Sequence, residues 1–530
     1  MLKLDHPASD ALLPMTEEER ALYEQVVPED HFLRRLLQAV DFQSFLPLLA
    51  GAYSPDQGRP PLDPVVLLKL EVLARQYKLS NREALAGARL NLAYRLFLGL
   101  SLKSPLPHHS LLTYFRHRLG PERLQQVFDA LVARARQLGL VKDRLRLKDA
   151  THIIANIAVP STIRLVAATR DQLLDAVRPF APARASEEEA RAEVIRLSTD
   201  DAKDEERLVQ RVSHLRAVLA WADDVPTQEV FRQQSAPVQE QLRQALALAH
   251  KVLADREDPQ APDQVRSVHD PDARRGYHGG YFDGYLVDVS MDADSELLTA
   301  LNVLPGNGDE GADAAPLIRQ EEQAQHNDVA AVSIDGAGYR GPVLRELTDP
   351  EGLNVEVFTP PAEVPPRTVF GPERFALTVL EEGPTLTCPA GQTTRARERS
   401  RRDHGWKYRF GKRQCAGCPL REQCLENPQS SKGRRVIKND YEAEYAAAQA
   451  KAQTPAYAEV RRQHPAIERK LAELVRRHDL RHARYRGRRR VWYQGLLTGL
   501  VVNLKRLVRL LAAAGEAAGG TVRAEAVGVG

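Results

Sequence analysis

One segment with strand periodicity, RLRLKDATHII, carries an aspartate on its apolar face. Leu145 and Leu147 share this face with Asp149, while Arg146 and Lys148 lie on the other face. A carboxylate on the apolar face of a strand is unfavourable unless it binds something or is hydrogen-bonded. We therefore interpret Asp149 as a metal ligand, with a hydrogen-bonded structural aspartate as the alternative.

A second acid follows another apolar segment, VAAVSI, which reads as a strand that ends at Asp335. Gly336 and Gly338 come directly after it. In α/β sheets, ligand-binding side chains collect at the carboxyl ends of strands, next to such loops. The pattern favours a ligand-binding role for Asp335, and a loop aspartate that caps the next segment is the alternative.

A third acid lies within residues 461–510, the most basic part of the chain. Pro465 suits the first turn of a helix, and apolar residues from Ile467 onward recur at helical spacing. Glu468 falls at the margin of this apolar stripe, so it is predicted to face the edge of the core. The competing acid, Glu473, is predicted to lie on the outer face of the helix. The alternative for Glu468 is an ordinary surface glutamate without a functional role.

Three carboxylates that converge on one site can hold two divalent ions and support an in-line displacement at phosphorus. Oxygen ligands favour Mg²⁺, so we expect two catalytic magnesium ions held by Asp149, Asp335 and Glu468. The long gaps between the acids are filled by a helical segment and a cysteine-containing segment. Without these insertions, the predicted element order is that of a ribonuclease-H-like core, in a mixed α/β protein.

The formal net charge is only +3, so the basic character of the chain is local. Arginines alternate with aromatic residues after Glu468, a mixture suited to phosphates and to stacked bases. The helical N-terminal segment also carries arginines, and a helix there is suited to a DNA groove. The predicted nucleic-acid-binding residues are Arg116, Arg484, Arg486, Arg488, Arg489 and Trp492.

The four cysteines point to a metal site instead of a disulfide framework. Cys415, Cys418 and Cys424 are close in sequence, and Cys388 completes a tetrahedral set for a structural Zn²⁺. An iron–sulfur cluster or unligated thiols are the alternatives. The N-terminus lacks a secretory signal pattern, and the apolar segment 495–514 is interrupted by basic residues, so we expect a cytoplasmic protein without a membrane span.

These patterns predict five parts. Residues 1–140 form a helical DNA-binding domain, and the catalytic core combines residues 141–160, 263–360 and 455–515. A helical insertion occupies 161–262, a basic cysteine-containing insertion occupies 361–440, and 516–530 form a disordered tail.

Several motifs resemble the DDE transposases of bacterial insertion sequences, and most closely the insertion-sequence 1182 group. They are PPLDPVVLLKL, YKLSNRE, HHSLLTYFRHRLG, KDATHI, DPDARRG, FDGY, SIDGAGY, CPAG, CAGCPLREQC and IERKLAELVRRHDLRHARYRG. The resemblance implies a nucleoid-associated bacterial transposase that cuts DNA at terminal inverted repeats and joins the ends to target DNA with Mg²⁺. It implies Asp149, Asp335 and Glu468 as the metal-binding triad, and a homodimer assembled on DNA.

Two alternatives to a transposase remain at this stage. One is a nuclease of the same fold that cuts DNA without strand transfer. The other is a catalytically inactive or domesticated DNA-binding protein that relies on the basic helices and the cysteine segment.

Overall fold

The computed structural model describes residues 12–53, 62–363 and 367–517. These residues form a mixed α/β structure in which helices predominate, so this part of the predicted fold class is confirmed. Within the described ranges, no helix is both long enough and apolar enough to cross a lipid bilayer.

Among the described residues, the N-terminal part of the chain contains seven α-helices. They are α1 (Glu17–Val26), α2 (Phe32–Ala39), α3 (Leu46–Ala50), α4 (Pro64–Gln76), α5 (Asn81–Leu90), α6 (Leu92–Leu98) and α7 (Ser110–Gln137). The sequence Ser80-Asn81-Arg82-Glu83 has the pattern of a capping box, and at the start of helix α5 Ser80 and Glu83 exchange the two hydrogen bonds of that motif. Helix α4 is buried on nearly all sides, so it forms the centre of this helical layer.

A six-stranded sheet follows, interrupted in sequence by helices. Its strands are β1 (Arg146–Ile154), β2 (Arg274–Tyr277), β3 (Tyr281–Asp292), β4 (Leu298–Pro305), β5 (Ala331–Ser333) and β6 (Glu356–Phe358). Strand β1 lies at the centre, antiparallel to β3 and parallel to β5, and β6 continues the parallel side. The far edge of β3 is shared by β2 and β4, both antiparallel to it.

Both faces of the sheet are covered by helices. They are α13 (Ala314–Gln325), α14 (Gly341–Thr348), α17 (Glu442–Ala452), α18 (Pro455–Gln463), α19 (Pro465–His478) and α20 (Arg488–Ala517). Helix α20 packs between α7 and β4, where an added Cβ at Gly499 would meet Phe128 at 3.3 Å and Leu301 at 3.4 Å. The absence of a side chain at Gly499 lets helix and sheet approach closely. The N-terminal helices and the sheet therefore share one hydrophobic core.

The long segment between β1 and β2 forms a helical layer with its own hydrophobic core. Its helices are α8 (Thr162–Val177), α9 (Pro182–Ser198), α10 (Asp204–Ala222), α11 (Glu229–Arg232) and α12 (Ala236–Glu257). Helices α8, α10 and α12 pack against one another through leucine, valine and alanine side chains.

The cysteine-containing segment forms a small β-rich unit. Its elements are β7 (Ala376–Leu380), β8 (Gly383–Thr387), β9 (Thr393–Thr394), β10 (Arg397–Ser400), β11 (Gly405–Arg409), α15 (Lys412–Ala416), α16 (Arg421–Cys424) and β12 (Arg435–Asn439). Two three-stranded sheets enclose a core of five buried side chains, among them Phe375 and Phe410.

The charged face of β1 is buried. Arg146 donates hydrogen bonds to Glu321 and Asp292, and its side chain is 0% exposed. Lys148 forms an ion pair with Asp288 at 2.9 Å, and both side chains are buried. Period-two patterning alone does not reveal this, because β1 is central and helix α13 covers the charged side.

The predicted disordered tail begins at residue 516, but helix α20 extends to Ala517. The remaining residues of that prediction, 518–530, lie outside the described residues.

Candidate active site

The parallel pairing of β1 and β5 brings Asp149 and Asp335 together. Leu147 pairs with Ser333, and each aspartate lies two residues beyond this pair in the same direction. Because paired parallel strands advance together, the two carboxylates reach the same level of the sheet. The negative charge of Asp335 accordingly acts on Asp149 and raises its pKa.

Asp149 is partly buried, and no basic side chain among the described residues forms an ion pair with its carboxylate. Burial raises its pKa to about 7, and the charges of Asp335 and Glu310 act in the same direction. The N–H of Ala150 donates a hydrogen bond of 2.8 Å to this carboxylate, and Lys148 offers further compensation through its charge. Neither contact cancels the effect of burial on the pKa of Asp149. A bound cation at this position would stabilise the ionised carboxylate.

Asp335 is fixed by the loop that follows β5. Its carboxylate accepts a hydrogen bond from the N–H of Ala337 at 2.9 Å, and its carbonyl accepts one from the hydroxyl of Thr359 at 2.7 Å. An added Cβ at Gly338 would lie 2.9 Å from the Ile334 side chain. The turn therefore requires glycine, and it holds the Asp335 side chain in a defined position.

Helix α19 runs beside β1 and is attached to the sheet near both of its ends. At its start, His464 lies 3.0 Å from the Ser333 hydroxyl, through its Nδ1 atom. Beyond its end, Arg481 donates a 2.6 Å hydrogen bond to the carbonyl of His152. Glu468 lies four helical residues after His464, a rise of about 6 Å, and Asp149 lies two strand residues after Leu147, which pairs with Ser333, a rise of about 7 Å. Glu468 therefore reaches the level of Asp149 along the strand. Glu468 is exposed and makes no ion pair or hydrogen bond with any described residue.

Glu473, the competing third acid, has a different environment from the one its register predicts. It is half-buried, and its carboxylate contacts Lys505 at 2.7 Å and Lys470 at 3.4 Å. The two ammonium groups lower the pKa of Glu473 against the opposing effect of burial, which is the largest single influence. Glu473 thus stabilises the packing of α19 on α20.

A further acid near the two aspartates is Glu310, which the sequence reasoning missed. Burial raises the pKa of Glu310, Lys148 lowers it and Asp335 raises it again. The carbonyl of Glu310 also accepts a 2.6 Å hydrogen bond from Lys148. Its only sequence signal is the acidic, glycine-rich loop GNGDEGAD after β4.

No group of three or more histidine, cysteine, aspartate or glutamate side chains in the described ranges is positioned to hold a metal ion. The structure brings Asp149 and Asp335 side by side and places Glu468 at a similar level along β1. The three acids do not form a closed set of metal ligands.

The four cysteines line one small cavity of about 20 Å³ in the β-rich unit. All four are half-buried free thiols. Burial raises the pKa of Cys424, and the charges of the other three cysteines raise it further, as expected when the sulfur atoms are near one another. The fold thus gathers Cys388 with the three cysteines that follow it 27 or more residues later.

Arg116 has an internal partner. Its guanidinium contacts the buried carboxylate of Glu71 at 2.6 Å and lies over the ring of Tyr485, 5.5 Å from the ring centre. These contacts hold α7, α4 and the segment before α20 together. In this structure Arg116 is directed into the protein and not towards a DNA groove.

The other residues predicted to bind nucleic acid surround the start of α20. Arg484 and Trp492 are half-buried, and Arg489 forms an exposed ion pair with Glu122 at 2.6 Å. The exposed arginines of this stretch are Arg486, Arg488, Arg489 and Arg490.

An open groove of about 590 Å³ lies beside the aspartates. It extends from the turn between β2 and β3, with Tyr277 and Tyr281, to Glu310 and to the Ala337–Arg340 loop after Asp335. The groove has exposed aromatic rings and Arg275 at one end, and Arg340 with the carboxylates of Asp309 and Glu310 at the other.

Two family models match parts of the chain. Residues 21–118 match a Transposase domain (DUF772), and residues 387–508 match a Transposase DDE domain. The second match includes Glu468, whereas Asp149 and Asp335 lie outside both matches. No curated protein and no solved structure matches the chain. The two domain matches indicate a DNA transposase and support a DDE transposase family for this chain.

Proposed function

We propose that this protein is a DNA transposase that cleaves the ends of an insertion sequence and joins them to target DNA by phosphoryl transfer with two metal ions. The observation that carries the proposal is the side-by-side placement of Asp149 and Asp335 on parallel neighbours. The match of the C-terminal segment to a transposase DDE domain adds support from the part of the chain that contains Glu468.

The catalytic domain in this proposal is a ribonuclease-H-like core. The order of the sheet supports it: an antiparallel meander of β1, β3 and β4 is extended on the other side of β1 by parallel β5 and β6. The helical insertion follows β1, and the cysteine unit lies between β6 and α19. Both insertions therefore leave the central strands uninterrupted.

Asp149, Asp335 and Glu468 are the residues that would hold Mg²⁺. Their donor atoms are carboxylate oxygens, which suit a hard divalent ion, and the charge of Lys148 only partly offsets the effect of burial on Asp149. When bound, two such ions would activate the attacking hydroxyl and stabilise the leaving oxygen at phosphorus. The protein itself positions the acids. The Ala337 N–H orients Asp335, His464 at the start of α19 contacts Ser333 at the end of β5, and Arg461 on α18 donates a 2.9 Å hydrogen bond to the carbonyl of Ile334.

The test is a strand-transfer assay with purified protein, Mg²⁺ and labelled DNA. The proposal requires joined products longer than the input, and their loss in Asp149→Ala and Asp335→Ala. Cleavage without joined products would indicate a nuclease, and DNA binding without either reaction would indicate an inactive or domesticated DNA-binding protein.

The role of Glu468 has a matched control on the same helix. Glu468→Gln should abolish strand transfer, because the neutral amide removes a metal ligand at the edge of α19. Glu473→Gln should retain strand transfer per folded molecule, because Glu473 is already held by Lys505 and Lys470. The reverse pattern would assign the third acid to Glu473.

We also propose that the exposed arginines near the start of α20, Arg486, Arg488 and Arg490, contact DNA phosphates, and that a homodimer assembles on DNA to pair the two ends. Sedimentation of the protein with and without DNA that carries the element ends tests whether the dimer forms.

We further propose that the protein belongs to the insertion-sequence 1182 group and acts at the nucleoid in the cytoplasm. Short inverted repeats that flank the gene would support this placement.

We propose a structural Zn²⁺ for the cysteine unit. Thiolates are preferred Zn²⁺ ligands, and four of them around one small cavity supply the number that a closed tetrahedral site needs. Metal binding would draw the sulfur atoms inward. The unit has a core of only five buried side chains, so a cross-link of this kind would contribute much of its stability.

A further inference from the structure

The hairpin of β2 and β3 presents two exposed tyrosines beside the candidate active site. Tyr277 and Tyr281 form the last cross-strand pair before the turn, and their side chains are 70% and 78% exposed. Their rings lie 5.3 Å apart in an edge-to-face arrangement. Exposure of large aromatic rings to water at a hairpin tip does not stabilise the folded protein. Their position therefore favours contact with a partner.

The turn between the tyrosines is built to hold them in place. The N–H of His278 donates a 2.9 Å hydrogen bond to the carbonyl of Gly280, and Gly279 adopts a left-handed conformation with φ of 68°. The His278 ring lies 5.0 Å from the ring of His152, which follows Asp149 on β1. The hairpin tip is therefore connected to the strand that carries the first catalytic aspartate.

Cationic groups accompany the aromatic rings. The Arg275 guanidinium lies 5.9 Å from the centre of the Tyr281 ring and donates hydrogen bonds of 3.4 and 3.3 Å to the carboxylate of Asp283. Asp283 is also paired with Arg266 at 2.7 Å, and the Arg275 side chain remains half exposed. Arg340 lies across the groove, where it is paired with Asp309. Two guanidiniums, of Arg266 and Arg275, share the single carboxylate of Asp283, so the end of the groove that the tyrosines occupy keeps a net positive charge that favours a phosphate.

The groove leads from the tyrosines to the loop that follows Asp335. Glu310 and Ala337 line its other end, and the N–H of Ala337 is the group that orients Asp335. Its volume of about 590 Å³ falls within the usual ~300–1,000 Å³ range of small-molecule sites. Gly276 and Gly306 line it without side chains, and a Cβ at Gly276 would lie 2.0 Å from the carbonyl oxygen of Gly306.

We propose that this groove holds an unpaired nucleotide at the DNA end, with its base stacked on Tyr277 or Tyr281 and its phosphate next to Arg275. The inference rests on the proposed function, because it takes the reacting DNA end to lie at Asp149 and Asp335. Aromatic faces stack on any base, and enzymes that act within a duplex commonly take a nucleotide out of the helix to reach their target. The paired acids and the stacking rings would then engage adjacent nucleotides of one strand.

The experiment compares two DNA probes in Ca²⁺, which is used to limit cleavage. One is a short blunt duplex, and the other carries a single-stranded overhang with a fluorescent adenine analogue. The wild-type protein should prefer the overhang and quench the analogue. The variant Tyr277→Ala/Tyr281→Ala should lose about tenfold or more of this preference, whereas Tyr277→Phe/Tyr281→Phe should keep it. Leu197→Ala, an exposed apolar position on α9, is the control and should behave as wild type.

Equal affinity of the wild-type protein for both probes, or an unchanged preference in the double alanine variant, would overturn the proposal. A strand-transfer assay on the same proteins separates this inference from the proposed function. Overhang preference without any cleavage in Mg²⁺ would leave the groove assignment intact and reject the transposase. Strand transfer without overhang preference would support the transposase and reject the groove assignment.

Discussion

At the scale of single residues, the unfavourable charge of Asp149 predicts a stability that depends on pH. Its pKa is raised from 3.8 to about 7, so the folded protein binds a proton that the unfolded chain releases between these values. In the metal-free protein this contribution to stability is present below pH 4 and is lost as the pH rises through 7. Asp149→Asn should therefore increase the free energy of unfolding by about 1–3 kcal/mol at pH 8, and by less at pH 5.

Thermal unfolding in EDTA at the two pH values measures this effect. Glu468→Gln is the control, because Glu468 is exposed and should leave the melting temperature unchanged at both pH values. Adding Mg²⁺ should reduce the difference in melting temperature between the wild-type protein and Asp149→Asn, because only the wild-type carboxylate is a strong ligand for Mg²⁺. A variant that is less stable than wild type at pH 8 would contradict the assigned environment of Asp149.

Arg146 provides a second prediction at this scale. Its buried guanidinium neutralises Glu321 and Asp292, so Arg146→Met would leave two buried carboxylates without their cation. Loss of one partner of a buried ion pair typically costs about 3–5 kcal/mol. Urea unfolding should show a loss of this size. Arg144→Met removes an exposed pair with Asp294 and should cost about 1 kcal/mol or less.

At the scale of elements, the cysteine unit should depend on its metal. Cys418→Ser and Cys388→Ser should each release zinc from the purified protein and make residues 367–440 sensitive to protease, because each removes one of four thiolates. Metal analysis by mass spectrometry and limited proteolysis measure the two effects. Wild-type protein that contains neither zinc nor iron, or serine variants as protease-resistant as wild type, would contradict the prediction.

The helices and strands also show which structural features can be predicted from the sequence. Local signals were sufficient for the cap of α5 at Ser80 and for the strand that carries Asp149, because capping and period-two patterning act over a few residues. Burial of Arg146 and the position of Glu310 depend on which elements pack on the sheet, and no local pattern encodes that. The ion pair of Arg116 could not be predicted for the same reason, since its partner Glu71 lies on another helix.

At the scale of the whole molecule, the candidate site depends on contacts between distant segments. Arg75 on α4 donates a 3.1 Å hydrogen bond to the carbonyl of His478 at the end of α19, and Lys78 reaches the carbonyl of Arg476 at 2.8 Å. The N-terminal helices thus hold the end of the helix that carries Glu468. If Glu468 is the third metal ligand as proposed, a rearrangement of the N-terminal helices on DNA should change its position.

The distribution of charge gives a prediction for DNA binding at the same scale. The net charge of +3 is too small to attract DNA by itself, so exposed and unpaired arginines near the start of α20 should determine the salt dependence. Each phosphate contact contributes about 0.9 to the slope of log affinity against log salt concentration. Arg488→Ala should lower that slope by about 1. Arg489→Ala is the matched control and should change it less, because Glu122 already neutralises Arg489. Equal effects of the two substitutions, measured by fluorescence anisotropy over a salt series, would show that the ion pair opens when DNA binds.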